Sequence, residues 1–134
     1  MKHVFIDTNI LVDYALGREH ADDAEQLLQH GKNGDYGLAA SYLTFANMAY
    51  ILGRKVDIYD LFRELHSYIA VLPTDDAQLT AAIRRPVRDF EDMLQYQCAK
   101  AADCDVIVTN NKKDFMLFCD LPLFTAEEFL LGLD

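Results

Sequence analysis

Short apolar runs alternate along this chain with longer stretches in which apolar residues recur every three or four positions. The short runs are rich in β-branched and aromatic residues, as buried strands are, and the longer stretches have helical spacing. The predicted strands are 3–6, 36–41, 69–72, 105–108 and 121–124. The predicted helices are 10–16, 21–30, 44–52, 58–66, 76–84 and 90–101, followed by a short helical piece around 115–118 and a terminal helix capped by Thr125.

This alternation of strands and helices predicts an α/β fold. We expect a three-layer α/β/α sandwich whose central parallel sheet has about five strands. The chain has 134 residues and shows no linker, repeat or low-complexity segment, so we expect a single domain over residues 1–134.

Composition narrows the class of protein. Apolar runs stay well below the roughly 18 residues that a membrane span needs, so we expect no membrane association. The three cysteines have no CxxC spacing, which indicates neither a disulfide framework nor a zinc site. A reducing cytoplasm fits this cysteine usage best.

The formal net charge of −10 disfavours simple electrostatic binding of nucleic acid. It says less about a nuclease that uses metal ions, because bound cations reverse the local sign of the field.

Oxygen-bearing side chains follow two of the predicted strands. Asp7 comes directly after the first strand, while residues 109–111 and then Asp114 follow strand 105–108. In an open parallel sheet, ligands collect outside the carboxyl ends of the strands, and oxygen clusters suit Mg²⁺ or Mn²⁺. The structural alternative for Asp7 is a helix N-cap at a βα turn.

A second acidic segment lies at the start of helix 90–101. Asp89 and Asp92 are three residues apart and therefore share roughly one helix face. They could be solvated carboxylates that favour the helix dipole, or part of a site. This helix immediately precedes strand 105–108, so a short connection can bring Asp92 close to Asp114.

Asn47 stands out because it is the one strongly polar residue within the apolar stretch 45–52. A buried amide must be hydrogen-bonded or costs about 1–3 kcal/mol. Asn47 therefore either holds backbone groups in the core or projects from its helix into the acidic site.

Three segments in this order resemble a known family. Residues 5–13 (FIDTNILVD) look like the opening of a PIN domain, 89–96 (DFEDMLQY) resemble the segment with that family's third acid, and 106–115 (VIVTNNKKDF) resemble its last motif. The resemblance runs from end to end. PIN domains are small α/β/α nucleases, and the single-domain bacterial ones are mostly VapC-type toxins.

The resemblance implies a set of site residues. Metal ligands would be Asp7, Asp92 and Asp114, and the catalytic set would add Asn47, which falls where the family usually has a glutamate. The polar residues that orient the acids or contact the phosphate would be Thr8, Asn9, Thr109 and Asn111, the last at the position often held by a fourth acid.

The resemblance also implies the function. We expect an endoribonuclease that uses Mg²⁺ or Mn²⁺, leaves a 5′-phosphate and a 3′-hydroxyl, and is the toxin of a toxin–antitoxin pair. Its partners would be an RNA substrate, an antitoxin protein and a second copy of the chain in a homodimer.

Other interpretations stay open at this stage. Because an amide replaces an acid at Asn47, the chain could be a catalytically weak or inactive PIN module that acts through protein contacts. A receiver-like phosphoryl-transfer protein fits less well, since no lysine follows the last strand. A dinucleotide-binding fold lacks the glycine-rich turn it needs after the first strand.

Overall fold

A computed structural model describes residues 1–133 of the protein. The strands are β1 (His3–Ile6), β2 (Gly37–Ser41), β3 (Ile69–Leu72), β4 (Val106–Val108) and β5 (Leu123–Phe124). The helices are α1 (Thr8–Leu16), α2 (Ala21–Lys32), α3 (Tyr42–Leu52), α4 (Ile58–His66), α5 (Asp76–Ile83), α6 (Phe90–Ala101), α7 (Lys112–Phe115) and α8 (Ala126–Leu131).

The five strands form one sheet in the order β3-β2-β1-β4-β5, and every neighbouring pair is parallel. In the centre, Val4 of β1 pairs with Leu38 of β2 on one side and with Val106 of β4 on the other. The predicted parallel sheet of about five strands is confirmed.

Strand β1 is buried on both faces because helices cover both sides of the sheet. Val4 and Ile6 belong to an apolar core with residues of α1, α2 and α3. Phe5 points to the opposite side and packs in a second core with Tyr96 of α6 and Phe115 of α7. This arrangement is the predicted three-layer sandwich.

Several element boundaries differ from the sequence prediction. Gly31 lies inside α2 and does not end it, because the helix packs so closely on β2 that a side chain at this position would overlap Leu38. The short helix near the end covers residues 112–115 and not 115–118. Helix α6 buries a face rotated from the predicted one, so Phe90 is exposed and Gln95 is buried.

Helices α1, α3 and α6 begin at the carboxyl edge of the sheet, each with a side chain that caps its first turn. The caps are Asp7 for α1, Ser41 for α3 and Asp89 for α6. Each side chain accepts a hydrogen bond from a backbone N–H of the first turn, which helix N-termini otherwise leave without a partner. The edge thus carries several helix N-termini, whose partial positive charge favours nearby carboxylates. Within residues 1–133, no helix is both long enough and apolar enough to cross a membrane.

Candidate active site

The candidate site lies at the carboxyl end of β1, where the strand order of the sheet reverses. The chain runs from β1 outward through β2 and β3, and then returns to the other side of β1 to form β4 and β5. Ligands of open α/β sheets bind at such a switch point, outside the carboxyl ends of the strands. A cavity at this position is lined by four acids, Asp7, Asp89, Glu91 and Asp92.

Asp7 is the most enclosed of these acids and is held by hydrogen bonds on both oxygens. Its Oδ1 accepts from the backbone N–H of Thr8 at 2.8 Å and from Gln95 Nε2 at 3.4 Å. Its Oδ2 accepts from the Thr109 hydroxyl at 2.8 Å and from Asn9 Nδ2 at 3.2 Å. Asp7 is therefore both the predicted helix N-cap and a member of the acidic site.

The environment of Asp7 acts on its pKa in two directions. Burial raises the pKa of the Asp7 carboxyl, while the hydrogen bonds from Thr109 and Thr8 lower it, and burial is the larger effect. A carboxylate that stays short of compensating charge after accepting four hydrogen bonds is suited to a cationic ligand.

Asp92, Asp89 and Asp114 form the tightest cluster. One oxygen of each carboxylate lies within 4.8 Å of the corresponding oxygens of the other two. Asp89 caps α6 by accepting from the backbone N–H of Asp92 at 3.1 Å, so it is structural and also part of the cluster. The predicted proximity of Asp92 and Asp114 is present, and Asp89 joins them.

The negative charges in this cluster oppose one another. Burial, together with the charges of Asp7, Asp89 and Asp114, raises the pKa of Asp92 to about 8. The pKa of Glu91 is also raised, first by burial and then by the charge of Asp7. Arg18 is the one basic residue lining the cavity in the described part of the chain. It is about half exposed, and its Nη1 lies 3.9 Å from Asp13, so it leaves the cluster short of positive charge.

The polar residues predicted to orient the acids do contact them. Asn111 donates from Nδ2 to Asp114 at 2.9 Å and to Asp92 at 3.3 Å, and so joins the two carboxylates. Asn9 donates to the Thr109 hydroxyl and accepts from the backbone N–H of Asn110. These bonds join the first turn of α1 to the loop after β4.

Asn47 lies on α3 between Thr44 and Ile51, the first of which hydrogen-bonds to Thr8 while the second lines the cavity. Asn47 itself is not among the residues that line the cavity. Its Nδ2 is closed to solvent and has no hydrogen-bond partner among residues 1–133. Its assignment to the site stays a prediction.

The donor set fits a divalent cation. Its oxygens come from carboxylates that have no cationic partner among residues 1–133, and hard cations such as Mg²⁺ prefer such ligands. The raised pKa of Asp92 is the mark of this uncompensated charge, because a cation in the cluster would favour the ionised carboxylate. Asp89, Asp92 and Asp114 are the closest set of possible ligands, with Asp7 on the adjoining wall of the cavity.

Sequence reasoning missed three residues of this region. Glu91 was overlooked between two aspartates, and Arg18 because it lies beyond the end of α1. Gln95 was not assigned a role, although it follows Asp92 by three residues and therefore shares its face. That spacing was the available signal.

The sequence of this chain is similar to those of known proteins. Residues 3–113 match the PIN domain family. Ribonuclease VapC1 of Aquifex aeolicus (strain VF5) is 27% identical over 138 residues, covering 94% of this chain and 92% of that protein.

Solved structures show the same fold at low identity. A chain of VapBC2 from Rickettsia felis, bound to a DNA fragment from its promoter, superposes with a TM-score of 0.67 at 20% identity, covering 92% of this chain and 98% of that one. A toxin–antitoxin complex from Klebsiella pneumoniae gives a TM-score of 0.65 at 22% identity, covering 92% and 97%.

The three-layer α/β fold, the cavity lined by acids and these matches agree with one another. The family match covers most of the chain, so the chain belongs to the PIN domain family.

Proposed function

We propose that this protein is a ribonuclease that depends on Mg²⁺ or Mn²⁺ and acts as the toxin of a toxin–antitoxin pair. The observation that carries the proposal is the cluster of Asp89, Asp92 and Asp114 beside Asp7, at the switch point of a PIN-domain sheet. No histidine, serine or cysteine nucleophile is required by this chemistry.

Some residues would bind the cation, and others hold those ligands in position. Asp92 and Asp114, with Asp7 and Asp89, would hold the cation, which would supply an activated water and neutralise charge on the scissile phosphate. Thr109 and Asn9 hold Asp7 in place, and Asn111 holds Asp92 and Asp114. Thr8 fixes the start of α1 through its backbone N–H to Asp7 and its hydroxyl to Thr44.

The relatives support RNA as the substrate and a protein as the partner. The Aquifex relative is named as a ribonuclease, and the similar solved structures are VapBC or toxin–antitoxin complexes. An acidic protein also needs the metal ion to approach RNA, because a net charge of −10 repels phosphates.

The second candidate is a PIN module with little or no catalysis that acts through protein contacts. The specific observation in its favour is Asn47, an amide where the resemblance implies a glutamate, with its Nδ2 unpaired among the described residues. An amide oxygen supplies less negative charge than a carboxylate, so divalent affinity would be weaker.

The test is cleavage of a panel of structured and unstructured RNAs by the purified protein. We expect cleavage that requires Mg²⁺ or Mn²⁺, stops on chelation and leaves 5′-phosphate ends. Asp7→Asn and Asp92→Asn should each reduce the rate by at least about 100-fold, since loss of a metal ligand removes most of the transition-state stabilisation.

Asp105→Asn is the matched control. It removes one carboxylate at the opposite end of β4, where Asp105 accepts from the backbone N–H of His3. We expect it to cleave RNA at close to the wild-type rate. A wild-type protein that degrades no RNA faster than Asp7→Asn does would contradict the nuclease and favour the non-catalytic module.

A further inference from the structure

Gln95 is a fully buried polar residue that connects three elements next to the cavity. It lies on α6 one turn after Asp92, and its exposed fraction is 0%. Its Nε2 lies 2.7 Å from Thr44 Oγ1 on α3, 3.3 Å from Thr8 Oγ1 on α1 and 3.4 Å from Asp7 Oδ1. Its Oε1 accepts a hydrogen bond from the Ser41 hydroxyl.

The direction of the Gln95 amide is dictated by its neighbours. The Ser41 oxygen accepts from the backbone N–H of Thr44, and its hydroxyl hydrogen donates to Gln95 Oε1. The reversed amide would place its oxygen 3.4 Å from Asp7 Oδ1, where two acceptors repel each other, so the NH₂ group faces Asp7. A donor is thereby aimed at the carboxylate by a network that lies outside the cavity.

The contact to Asp7 is the longest of the four hydrogen bonds that this carboxylate accepts. The short ones, from Thr8 and Thr109 at 2.8 Å, hold the carboxylate firmly. The contact from Gln95, at 3.4 Å, is shared with Thr8 Oγ1, because one amide has only two hydrogens for three acceptors. This contact adds to the bonds from Thr8 and Thr109 in orienting the carboxylate, and it is neutral, so it adds no charge that would oppose a cation.

We infer that Gln95 is a positioning residue, whose buried amide orients Asp7 and the first turn of α1 for binding of a divalent cation. The inference rests on the proposed function, in which Asp7 contributes to the metal site. Partners that orient metal ligands are worth about 10–100-fold in metal affinity when they are removed.

The experiment compares Gln95→Met with Gln78→Met. Methionine keeps the approximate volume and removes the amide. Gln78 is a second buried glutamine, on α5, and its Nε2 donates to the Pro73 carbonyl away from the cavity, so it reports the general cost of losing a buried amide. Binding of Mn²⁺ to metal-free protein is measured directly, together with thermal melts and RNA cleavage as a function of Mn²⁺ concentration.

We expect Gln95→Met to weaken Mn²⁺ binding by about 10–100-fold and to raise the Mn²⁺ concentration for half-maximal cleavage by the same factor. The rate at saturating Mn²⁺ should stay within a few-fold of wild type, because excess metal restores occupancy. Gln78→Met should lower the melting temperature and leave Mn²⁺ binding unchanged. If Gln95→Met fails to fold, Ser41→Ala releases the amide oxygen and should weaken Mn²⁺ binding in the same direction.

The contrary results fall into separate classes. If Gln95→Met binds Mn²⁺ like wild type, or if both methionine variants weaken it in proportion to their lost stability, Gln95 is only a packing residue. If wild type binds no Mn²⁺, or if Asp7→Asn binds it as well as wild type does, the proposed metal site at Asp7 is wrong. The proposed role of Gln95 is then wrong as well, because it depends on that site.

Discussion

At the scale of single residues, Asp7 shows that a structural role and a chemical role can coincide. The capping hydrogen bond from Thr8 fixes one carboxylate oxygen, while Thr109 fixes the other from a neighbouring strand. Because the side chain is held on both sides, it loses little conformational freedom when it binds a ligand. Asp89 also combines two roles, because it caps α6 and contributes a carboxylate to the acidic cluster.

Asn47 is the residue at which the amide-for-acid replacement can be tested. Asn47→Glu restores a carboxylate beside the acidic cavity, so we expect tighter Mn²⁺ binding and faster RNA cleavage, because an added negative charge stabilises a nearby cation. Asn33→Glu, at the exposed end of α2, adds the same charge and should change neither property.

The opposite outcome would place Asn47 in the core. A carboxylate buried there without a partner costs several kcal/mol, on the order of 3–5. A variant that melts far below wild type and gains nothing from Mn²⁺ would therefore exclude Asn47 from the metal site.

At the scale of elements, α6 delivers more of the site than any other helix. It begins at the carboxyl edge with Asp89 and brings Asp92 and Gln95 to the same side. The apolar spacing predicted the helix correctly but assigned its buried face wrongly. The polar residues Asp92 and Gln95 occupy positions that periodicity assigns to solvent, and only the packing of α6 beside β1 and β2 encloses them.

Helix α2 depends on the absence of a side chain at Gly31. We expect Gly31→Ala to lower the free energy of unfolding by about 1–3 kcal/mol, because the added methyl overlaps the buried Leu38. The intrinsic helix preference of alanine, about 1 kcal/mol, offsets part of this cost. Denaturant titration measures the change.

Gly132→Ala is the control for this substitution. A methyl at Gly132 meets its nearest atom at 3.5 Å, and φ is −84°, which suits any residue. We expect a change within about 0.5 kcal/mol. Equal stability of the Gly31 variant and wild type would show that α2 or the Leu38 side chain can move at little cost.

At the scale of the whole molecule, the distribution of charge matters more than the net charge for the pH dependence of stability. The net charge is −10, and four acids lie around one cavity, where the pKa values of Asp7, Glu91 and Asp92 are all raised. At a pH between the ordinary and the raised pKa values of these acids, the folded protein without metal therefore holds protons that the unfolded chain releases.

This proton uptake predicts how stability depends on pH. The pKa of Asp92 rises from 3.8 to about 8 on folding, so its protonated form stabilises the fold at low pH. That stability is lost as the pH rises through about 8. We expect the melting temperature of metal-free protein to fall between pH 5 and pH 8.5. Each melt should show one cooperative transition, because we propose that the chain forms a single domain.

Asp92→Asn identifies the source of the pH effect. This variant cannot ionise at the position and should show a clearly flatter pH profile. Saturating Mn²⁺ should also flatten the wild-type profile, because the cation favours the ionised carboxylates. An equally steep profile in Asp92→Asn would assign the effect to other groups.

Much of the fold followed from local pattern. Short apolar runs marked all five strands, since a parallel sheet covered on both sides requires them. The strand order did not follow, because every strand is apolar on both faces and no local signal selects its neighbour. Gly31 misled the prediction for a related reason: its role comes from a contact with another element.

The sequence by itself determined that Asp7 and Thr109 would lie at the same edge of the sheet, because each directly follows a strand and parallel strands present their carboxyl ends at one edge. That the Thr109 hydroxyl reaches Asp7 depends on the pairing of β1 with β4, which the tertiary structure decided. Only the tertiary structure decided that Asp89 joins Asp92 and Asp114, and that Gln95 is buried against Asp7. Those contacts depend on the angle and depth at which α6 packs on the sheet. Side-chain volumes in the core that α6 shares with Phe5 and Phe115 set that angle, and no single segment of the chain encodes it.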